Sequence, residues 1–319
     1  MNDYDISVLL PVYNDSAHLE TAIESVIGQE GASFELIVVD DGSTDDSANV
    51  LATYEDRQDV EILEHDENRG LASALNTALD AANGRFVARQ DADDRSLPGR
   101  LRSQVEYLRA NPETDVVAAG VNVISDSGDV LGGFAAPANP AEKLDRYNPI
   151  VHGSIMARKA AIRDSGGYDP FFRYRQDYEL WVRLTRRGYC IDGMDETLYE
   201  LRRSSGLVLL DERREKIGYS LIARAPEDTK TRLKSIAKED GIRAVFSHLD
   251  SDERAAYHRR MVRAYVEHGH RIDAIRSGIL ALRLAPDDGE SYRHLLLALI
   301  PRRIGTRILS AVSGREGGR

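Results

Sequence analysis

The 319-residue chain has one cysteine, one tryptophan, six lysines and no apolar run long enough to cross a bilayer. Each shortage excludes something. A lone Cys190 rules out an internal disulfide and suits a reducing compartment. The late apolar stretch "LLLALI" at 295–300 falls far short of the roughly 18 residues a spanning helix needs. The start, "MNDYDISVLLPVYN", is acidic and runs straight into a strand-like segment with no leader pattern, so the expected location is the cytoplasm. Six lysines stand beside 36 arginines, and a formal net charge of −11 argues against a nucleic-acid partner. With 42% hydrophobic and 30% charged residues the chain reads as soluble and globular, and its length allows about two domains.

What is present alternates. "ISVLLPV" (6–12), "ELIVVDDGS" (35–43), "VEILEH" (60–65), "RFVARQD" (85–91) and "VVAAGVNVI" (116–124) read as strands. Helical spacing separates the early ones: Leu19, Ile23, Val26 and Ile27, then a helix opened by "STDDS" (43–47), then "GLASALNTALDAANG" (70–84). Short strands separated by helices imply an α/β fold with a mostly parallel central sheet. The segment 127–149, with Gly128, Gly132, Gly133, Pro137, Pro140 and Pro149, is expected to be a long loop at the edge of the site. Strand signals stop after "LYELRRSSG" (198–206), which predicts domains at 1–205 and 206–319, the second helical. In that region Ile272, Ile275, Ile279 and Leu282 share one predicted face, and Tyr292, Leu295, Leu296 and Leu299 another. Residues 255–288 are similar to a single tetratricopeptide-type hairpin, with Tyr265, Ala274, Ala281 and Pro286 at suitable offsets.

Acidic residues collect where strands end. "FVARQDADDRSL" (86–97) places Asp91, Asp93 and Asp94 directly after an apolar run, and Asp40 and Asp41 close another. In open α/β sheets ligands bind beyond the carboxyl ends of strands. Magnesium or manganese takes hard oxygen ligands, one or two carboxylates with phosphates and waters completing the shell. A D-x-D at a strand end therefore suits a metal that bridges protein to diphosphate. By itself the tetrapeptide 91–94 is a weak signal and reads first as a solvated acidic turn in which Asp94 caps the next helix.

The motifs "VLLPVYN", "ELIVVDDGSTDDS", "ENRGLASALNTALDAANGRFV", "QDADDRSLPGRL", "HGSIMARKAAIRDSGGYDP" and "RQDYELWVRLTRRG" occur in this order over roughly residues 5–205. The series resembles the family 2 glycosyltransferases, whose catalytic domain has the GT-A fold, a nucleotide-sugar-binding domain. The resemblance implies a nucleotide-sugar donor, a UDP-sugar by default, a divalent metal (Mg²⁺ or Mn²⁺) and transfer with inversion. Pro11, Tyr13 and Asn14 match the loop lining the nucleotide base. Asp41 matches the acceptor for a base N–H, Arg69 a cation near the nucleotide, and Asp91 and Asp93 the D-x-D pair, with Asp93 the direct metal ligand and Asp91 nearer the ribose. Asp94 is expected to cap a helix or support the pair.

Inverting transfer needs a base to take the acceptor hydroxyl proton. The family's base opens a helix, and Asp177 of "RQDYELW" matches it. Gln176 stands where many relatives carry glutamate, so any role for that acid is absent here. His152 of "HGS" matches a position near the diphosphate or acceptor, and Arg202, beside Arg203, a place from which a guanidinium can face the leaving diphosphate. The Q-x-x-R-W motif of processive synthases is missing, which favours transfer of one sugar per encounter. The tail 293–319 holds six arginines and one glutamate among leucines and isoleucines, and resembles a basic amphipathic helix on an anionic membrane. A lipid-linked glycan acceptor would suit it. Two other readings stay open: a sugar-phosphate nucleotidylyltransferase, whose glycine- and arginine-rich phosphate loop is not seen near the start, and a non-catalytic scaffold with a degenerate transferase domain.

Overall fold

In the computed structural model residues 4–203 and 210–300 are described, and the chain divides into two compact units, Met1–Ser205 and Gly206–Arg319. The first unit opens on β1 (Ile6–Val12), whose seven residues are all buried. Uninterrupted burial is what a central parallel strand requires of its sequence. Then follow α1 (Ser16–Ile27), β2 (Phe34–Asp40), α2 (Ser47–Ala52), β3 (Val60–Glu64), α3 (Leu71–Ala81) and β4 (Phe86–Arg89). Strands β3, β2, β1 and β4 lie side by side in that order, all parallel. The chain steps outward from β1 to β3 and returns to β4 on the other side of β1, so a crevice opens at the carboxyl ends of β1 and β4.

Pro11 sits in the middle of this sheet although it has no N–H to donate. Its neighbours explain the tolerance: β2 follows β1 as far as Val12, whereas pairing with β4 stops at Leu9↔Arg89. Pro11 lies past the end of β4, on an edge local to the crevice.

Beyond β4 the sheet changes direction. After β5 (Arg95–Ser96), α4 (Arg100–Ala110), β6 (Thr114–Ile124), β7 (Val130–Phe134), β8 (Ile155–Arg158), α5 (Lys159–Asp164) and α6 (Gln176–Arg186) comes the 13-residue β9 (Cys190–Arg202). Strand β8 runs antiparallel between β4 and β6, β9 parallel to β6, and β5 and β7 are antiparallel additions. The expected parallel order thus holds on the β1–β4 side, and the far side is mixed. Residues 127–149 are not wholly loop: β7 pairs with β6, and a 3-10 turn spans Pro140–Lys143.

The second unit is helical: α7 (Leu210–Arg224), α8 (Glu227–Asp240), α9 (Ser251–His268), α10 (Arg271–Leu284) and α11 (Gly289–Leu299). Asp250 and Glu253 form a capping box at the start of α9, and Gly269, at φ +80°, ends it in the left-handed region. Only Gly269 and His270 separate α9 from α10. Tyr265, Ala274 and Ala281 are buried. The buried side of α10 is built from small residues, Ala274, Ser277, Gly278 and Ala281. The predicted apolar faces are not the buried ones: Ile272 is 69% and Leu296 63% exposed, and Ile279, Tyr292 and Leu299 are also exposed. Close approach decides this. A Cβ on Gly278 would lie 3.0 Å from the Cα of Leu295, so only small side chains fit where α10 meets α11. Residues 301–319, most of the basic tail, lie outside the described residues.

Candidate active site

At the end of β1, Tyr13 is 48% exposed and Asn14 turns into the left-handed region at φ +52°. Asparagine tolerates that conformation better than most residues. Its side chain is used: Asn14 Oδ1 accepts from the Thr44 N–H (2.7 Å), while its own N–H donates to Ser43 Oγ (3.0 Å). Asp40 Oδ1 accepts from the Ser43 N–H at 2.9 Å, holding the same turn. Asp45 joins two helix starts, accepting from the Ser16 N–H at α1 and the Ser47 N–H at α2. Desolvation is the largest single effect on its carboxyl and raises the pKa, but the bonds from Ser16 and Ser47 together hold it below the usual range.

Asp41 is more committed than its predicted role suggests. Its side chain is 4% exposed; Oδ1 meets His65 Nδ1 at 2.6 Å and the Arg69 N–H at 2.9 Å, and Oδ2 accepts from the Gly70 N–H at 2.8 Å. His65 Nε2 pairs with Thr77 Oγ1 at 2.9 Å. A carboxylate has about four acceptor positions, so the loop 65–70 takes three and Oδ2 retains one. Arg69 is itself exposed at the edge of this loop.

The acidic turn after β4 rests on two buried arginines. Arg89, with a side chain only 2% exposed, donates from Nη2 to Asp91 Oδ1 at 2.5 Å. Its Nη1 donates to the carbonyls of Leu9 and Gln90, and its Nε is buried without a partner among the described residues. Arg100 is fully buried and ties the surrounding backbone together: Nη2 donates to the carbonyls of Arg89, Gly153 and Ile155, and Nη1 to Gln90 Oε1 and Ser96 Oγ. Its guanidinium lies over the Tyr199 ring at 4.8 Å. Burial pulls the Arg100 pKa down to about 10, which still leaves it charged at neutral pH. The Tyr199 hydroxyl accepts from the Asp91 N–H at 3.1 Å.

The three carboxyls of this turn are not equivalent. Asp91 is half-buried and paired. Burial, together with the charges of Asp91 and Asp15, raises the Asp93 pKa to about 6. Asp94 is buried; burial and the charges of Asp91 and Asp93 hold its pKa well above the carboxylate range. Its Oδ1 accepts from the Arg202 N–H at 2.6 Å. It caps no helix, since α4 begins six residues later at Arg100 behind Gly99. Arg202 reaches the cluster but spends three donors on backbone: Nε on the Asp93 carbonyl (2.8 Å), Nη1 on those of Ser125 (2.9 Å) and Asp126 (2.7 Å). It clamps the acidic turn onto the end of β6. No group of three or more His, Cys, Asp or Glu residues is placed to hold a metal among the described residues. Asp91 and Asp93 offer carboxylate oxygens of the hard type that Mg²⁺ or Mn²⁺ takes, and such an ion usually draws its other ligands from phosphates and water.

On the other side stands α6. Arg175, at φ +66°, precedes it, and Asp177 lies in its first turn with Tyr178, Leu180, Trp181 and Leu184 buried behind. Asp177 Oδ2 accepts from Asn148 Nδ2 at 2.6 Å. Burial raises the Asp177 pKa and the Asp91 charge adds to this, while Arg175, the Tyr178 N–H and Asn148 oppose it. His152 joins its Nε2 to the Tyr168 hydroxyl at 2.9 Å and lies edge-on to Trp181. Burial and the Arg89 charge push its pKa well down, so His152 is neutral at physiological pH.

The model of the family described as "Glycosyl transferase family 2" matches residues 7–177, a span that runs from β1 to Asp177. The chain belongs to glycosyltransferase family 2. This glycosyltransferase is 35% identical over 207 residues to the putative glycosyltransferase EpsE of Bacillus subtilis (strain 168), covering 63% of this chain and 73% of the relative. It is 30% identical over 189 residues to the UDP-Glc:alpha-D-GlcNAc-diphosphoundecaprenol beta-1,3-glucosyltransferase WfgD of Escherichia coli, covering 58% and 72%. Among solved structures it is similar to S. aureus TarS 1-349 in complex with UDP-GlcNAc, with a TM-score of 0.56 at 16% identity, covering 92% of this chain and 90% of that one. The fold is GT-A.

Four residues that organise the candidate site escaped the sequence reading: Arg89, Arg100, Asn148 and Tyr199. Arg89 had a signal, since an arginine closing the apolar run "FVAR" must find a partner if the strand is buried. The other three act across long separations, Asn148 on a residue 29 positions away and Tyr199 on one 108 away, and no local pattern marks them.

Proposed function

We propose that this glycosyltransferase moves one sugar, with inversion, from a nucleotide-sugar donor to a hydroxyl of a lipid-linked glycan. The observation that carries the reading is Asp177, a half-buried carboxylate at the start of α6 that feels the charge of Asp91 across the site. A carboxyl raised by burial is a stronger base than a solvated one once ionised. Asp177 takes the proton of the acceptor hydroxyl as its oxygen attacks the anomeric carbon, and the bond to the donor diphosphate breaks on the opposite side. Asp41 offers its remaining Oδ2 position to a base N–H, the Pro11–Asn14 turn and exposed Tyr13 line the base, and Arg69 lies at the nucleotide edge. His152, kept neutral, contributes no charge and serves the acceptor side as a hydrogen-bonding group. Asp93, with Asp91, would hold Mg²⁺ or Mn²⁺, which supplies charge neutralisation to the leaving diphosphate.

A UDP-sugar is the default donor; the name of WfgD includes UDP-Glc, and TarS was solved with UDP-GlcNAc. The same name specifies a diphosphoundecaprenol-linked acceptor for WfgD, and the arginine-rich sequence of 293–319 is of the composition that anionic lipid attracts. No helix among the described residues is long and apolar enough to cross a membrane. Family membership removes the nucleotidylyltransferase alternative, and the intact acids argue against a degenerate domain.

The test is a calorimetric screen of nucleoside diphosphates and their sugars with Mn²⁺ or Mg²⁺, followed by transfer assays on Asp177→Asn. One nucleotide should bind in a metal-dependent manner, and Asp177→Asn should keep that affinity within about twofold while losing at least 100-fold in kcat, the scale of general-base catalysis. Full transfer by Asp177→Asn would remove it as the base.

A further inference from the structure

The segment 127–149 is tied to the first turn of α6 by two side chains. The Tyr178 hydroxyl donates to the Leu144 carbonyl, and Asn148 Nδ2 donates to Asp177 Oδ2 at 2.6 Å. The segment also lies directly on β9, where a Cβ at Gly193 would stand 2.2 Å from the Pro137 carbonyl oxygen. The orientation of the Asn148 amide follows from its other bond. Its Oδ1 accepts from the Ile150 N–H at 3.1 Å, so the group facing Asp177 is the NH₂ donor.

We infer that Asn148 is a positioning residue for Asp177, holding Oδ2 so that Oδ1 is the oxygen presented to the acceptor hydroxyl. This rests on the reading of Asp177 as the base. A carboxylate left to rotate in an enclosed site divides its time between orientations, of which one suits the incoming hydroxyl; an N–H bond to one oxygen selects it. The same bond favours the ionised form, the only form that can accept the proton. Seating of the 127–149 segment and readiness of the base are thereby one event, since the bond exists only when Asn148 is in place.

The groups that face Asp177 are few. Arg175 in the preceding turn and the Tyr178 N–H on its own helix favour the charged form, Asp91 at the end of β4 disfavours it, and the Tyr168 hydroxyl shares its field. Removing Asn148 takes away one of the groups that oppose burial and Asp91, alongside Arg175 and the Tyr178 N–H. The acidic limb of the kcat/KM profile should therefore move up by about one pH unit in Asn148→Ala, so that transfer is about tenfold slower on that limb. It should move further in Asn148→Asp, where a second carboxylate faces the first.

The experiment is a pH profile of kcat and kcat/KM for the full chain and both variants. Calorimetric binding of UDP with Mn²⁺, or of whichever diphosphate the donor screen selects, checks that the fold is kept. Support is an upward displacement of the limb with donor affinity unchanged within about twofold. An Asn148→Ala profile that superimposes on the parent, or a loss of rate matched by loss of donor affinity, overturns the inference. These outcomes are separable from failure of the base assignment, because that assignment falls only if Asp177→Asn retains transfer.

Discussion

Between Asp91 and Asp94 three carboxyls share four positions, and each meets a different environment. Two unit charges about 4 Å apart repel by roughly 1 kcal/mol in water and about 4 at an effective dielectric near 20. The chain reduces this before any metal arrives: Arg89 neutralises Asp91 from below, and the raised pKa of Asp94 makes it a neutral acid over much of the pH range. That leaves Asp93 as the acid with most to gain from a cation. Gly153 completes the arrangement, because a Cβ there would lie 2.1 Å from the Tyr199 hydroxyl and 2.8 Å from Asp91 Oδ2. Gly153→Ala is expected to cost about 1–3 kcal/mol of stability by overpacking and to weaken metal-dependent nucleotide binding by displacing Asp91. Thermal melts and calorimetry read both; an unchanged affinity would separate Asp91 from donor binding. The D-x-D was legible in the sequence as a place where acids collect after a strand. The ranking of its members was not, because it depends on Arg89, Arg202 and Tyr199 being brought against them.

At the scale of elements, the strand alternation and the motifs at strand ends could be read directly, since a strand's burial is written in consecutive residues. The second unit was harder. Isoleucines on α10 share the predicted packing face, yet the buried side is the one at Ala274, Gly278 and Ala281, where Gly278 meets Leu295 of α11. Hydrophobic periodicity ranks faces by side-chain size, whereas helices that approach closely are selected for the lack of it. Helix α11 ends at Leu299 and supplies buried Ser291, His294 and Ala298, so truncation at residue 290 would remove a packing element as well as the tail. Truncation after residue 300 should keep the thermal midpoint within a few degrees and lose co-sedimentation with anionic liposomes. Equal binding by the full chain and this truncation would exclude a membrane role for 301–319.

For the molecule as a whole, the raised carboxyls of the acidic turn make stability depend on pH, and the proposed metal would change that dependence. Asp93, raised to about 6, and Asp94, raised in the same direction, bind protons more tightly folded than unfolded. Groups with raised folded pKa values contribute stability that is complete below the unfolded value, near 4, and that is lost as pH rises through the folded value. In chelator the protein should therefore be less stable at pH 8 than at pH 5, with Asp93 contributing about 1.4 kcal/mol, since pH 5 lies roughly one unit below its folded pKa. Mn²⁺ or Mg²⁺ should raise the melting temperature more at pH 8 than at pH 5, where protons already occupy the site. Asp93→Asn should flatten the dependence. Melting curves at the two pH values, with and without metal, decide it; a parent protein whose stability does not fall from pH 5 to pH 8 would contradict the charge assignment.

The sequence by itself determined the alternation of strands and helices, the order of motifs that marks the family, and where acids collect, at strand ends and at the opening of one helix. These are properties of neighbours along the chain, and periodicity and spacing carry them. The tertiary structure decided which acids bear charge, that Asp41 is largely spent on its own loop, that Arg202 clamps backbone, and that Asn148 holds Asp177. Charge state and hydrogen-bond pairing depend on distances between residues remote in sequence and on how much water lies between them, and only the folded chain sets those.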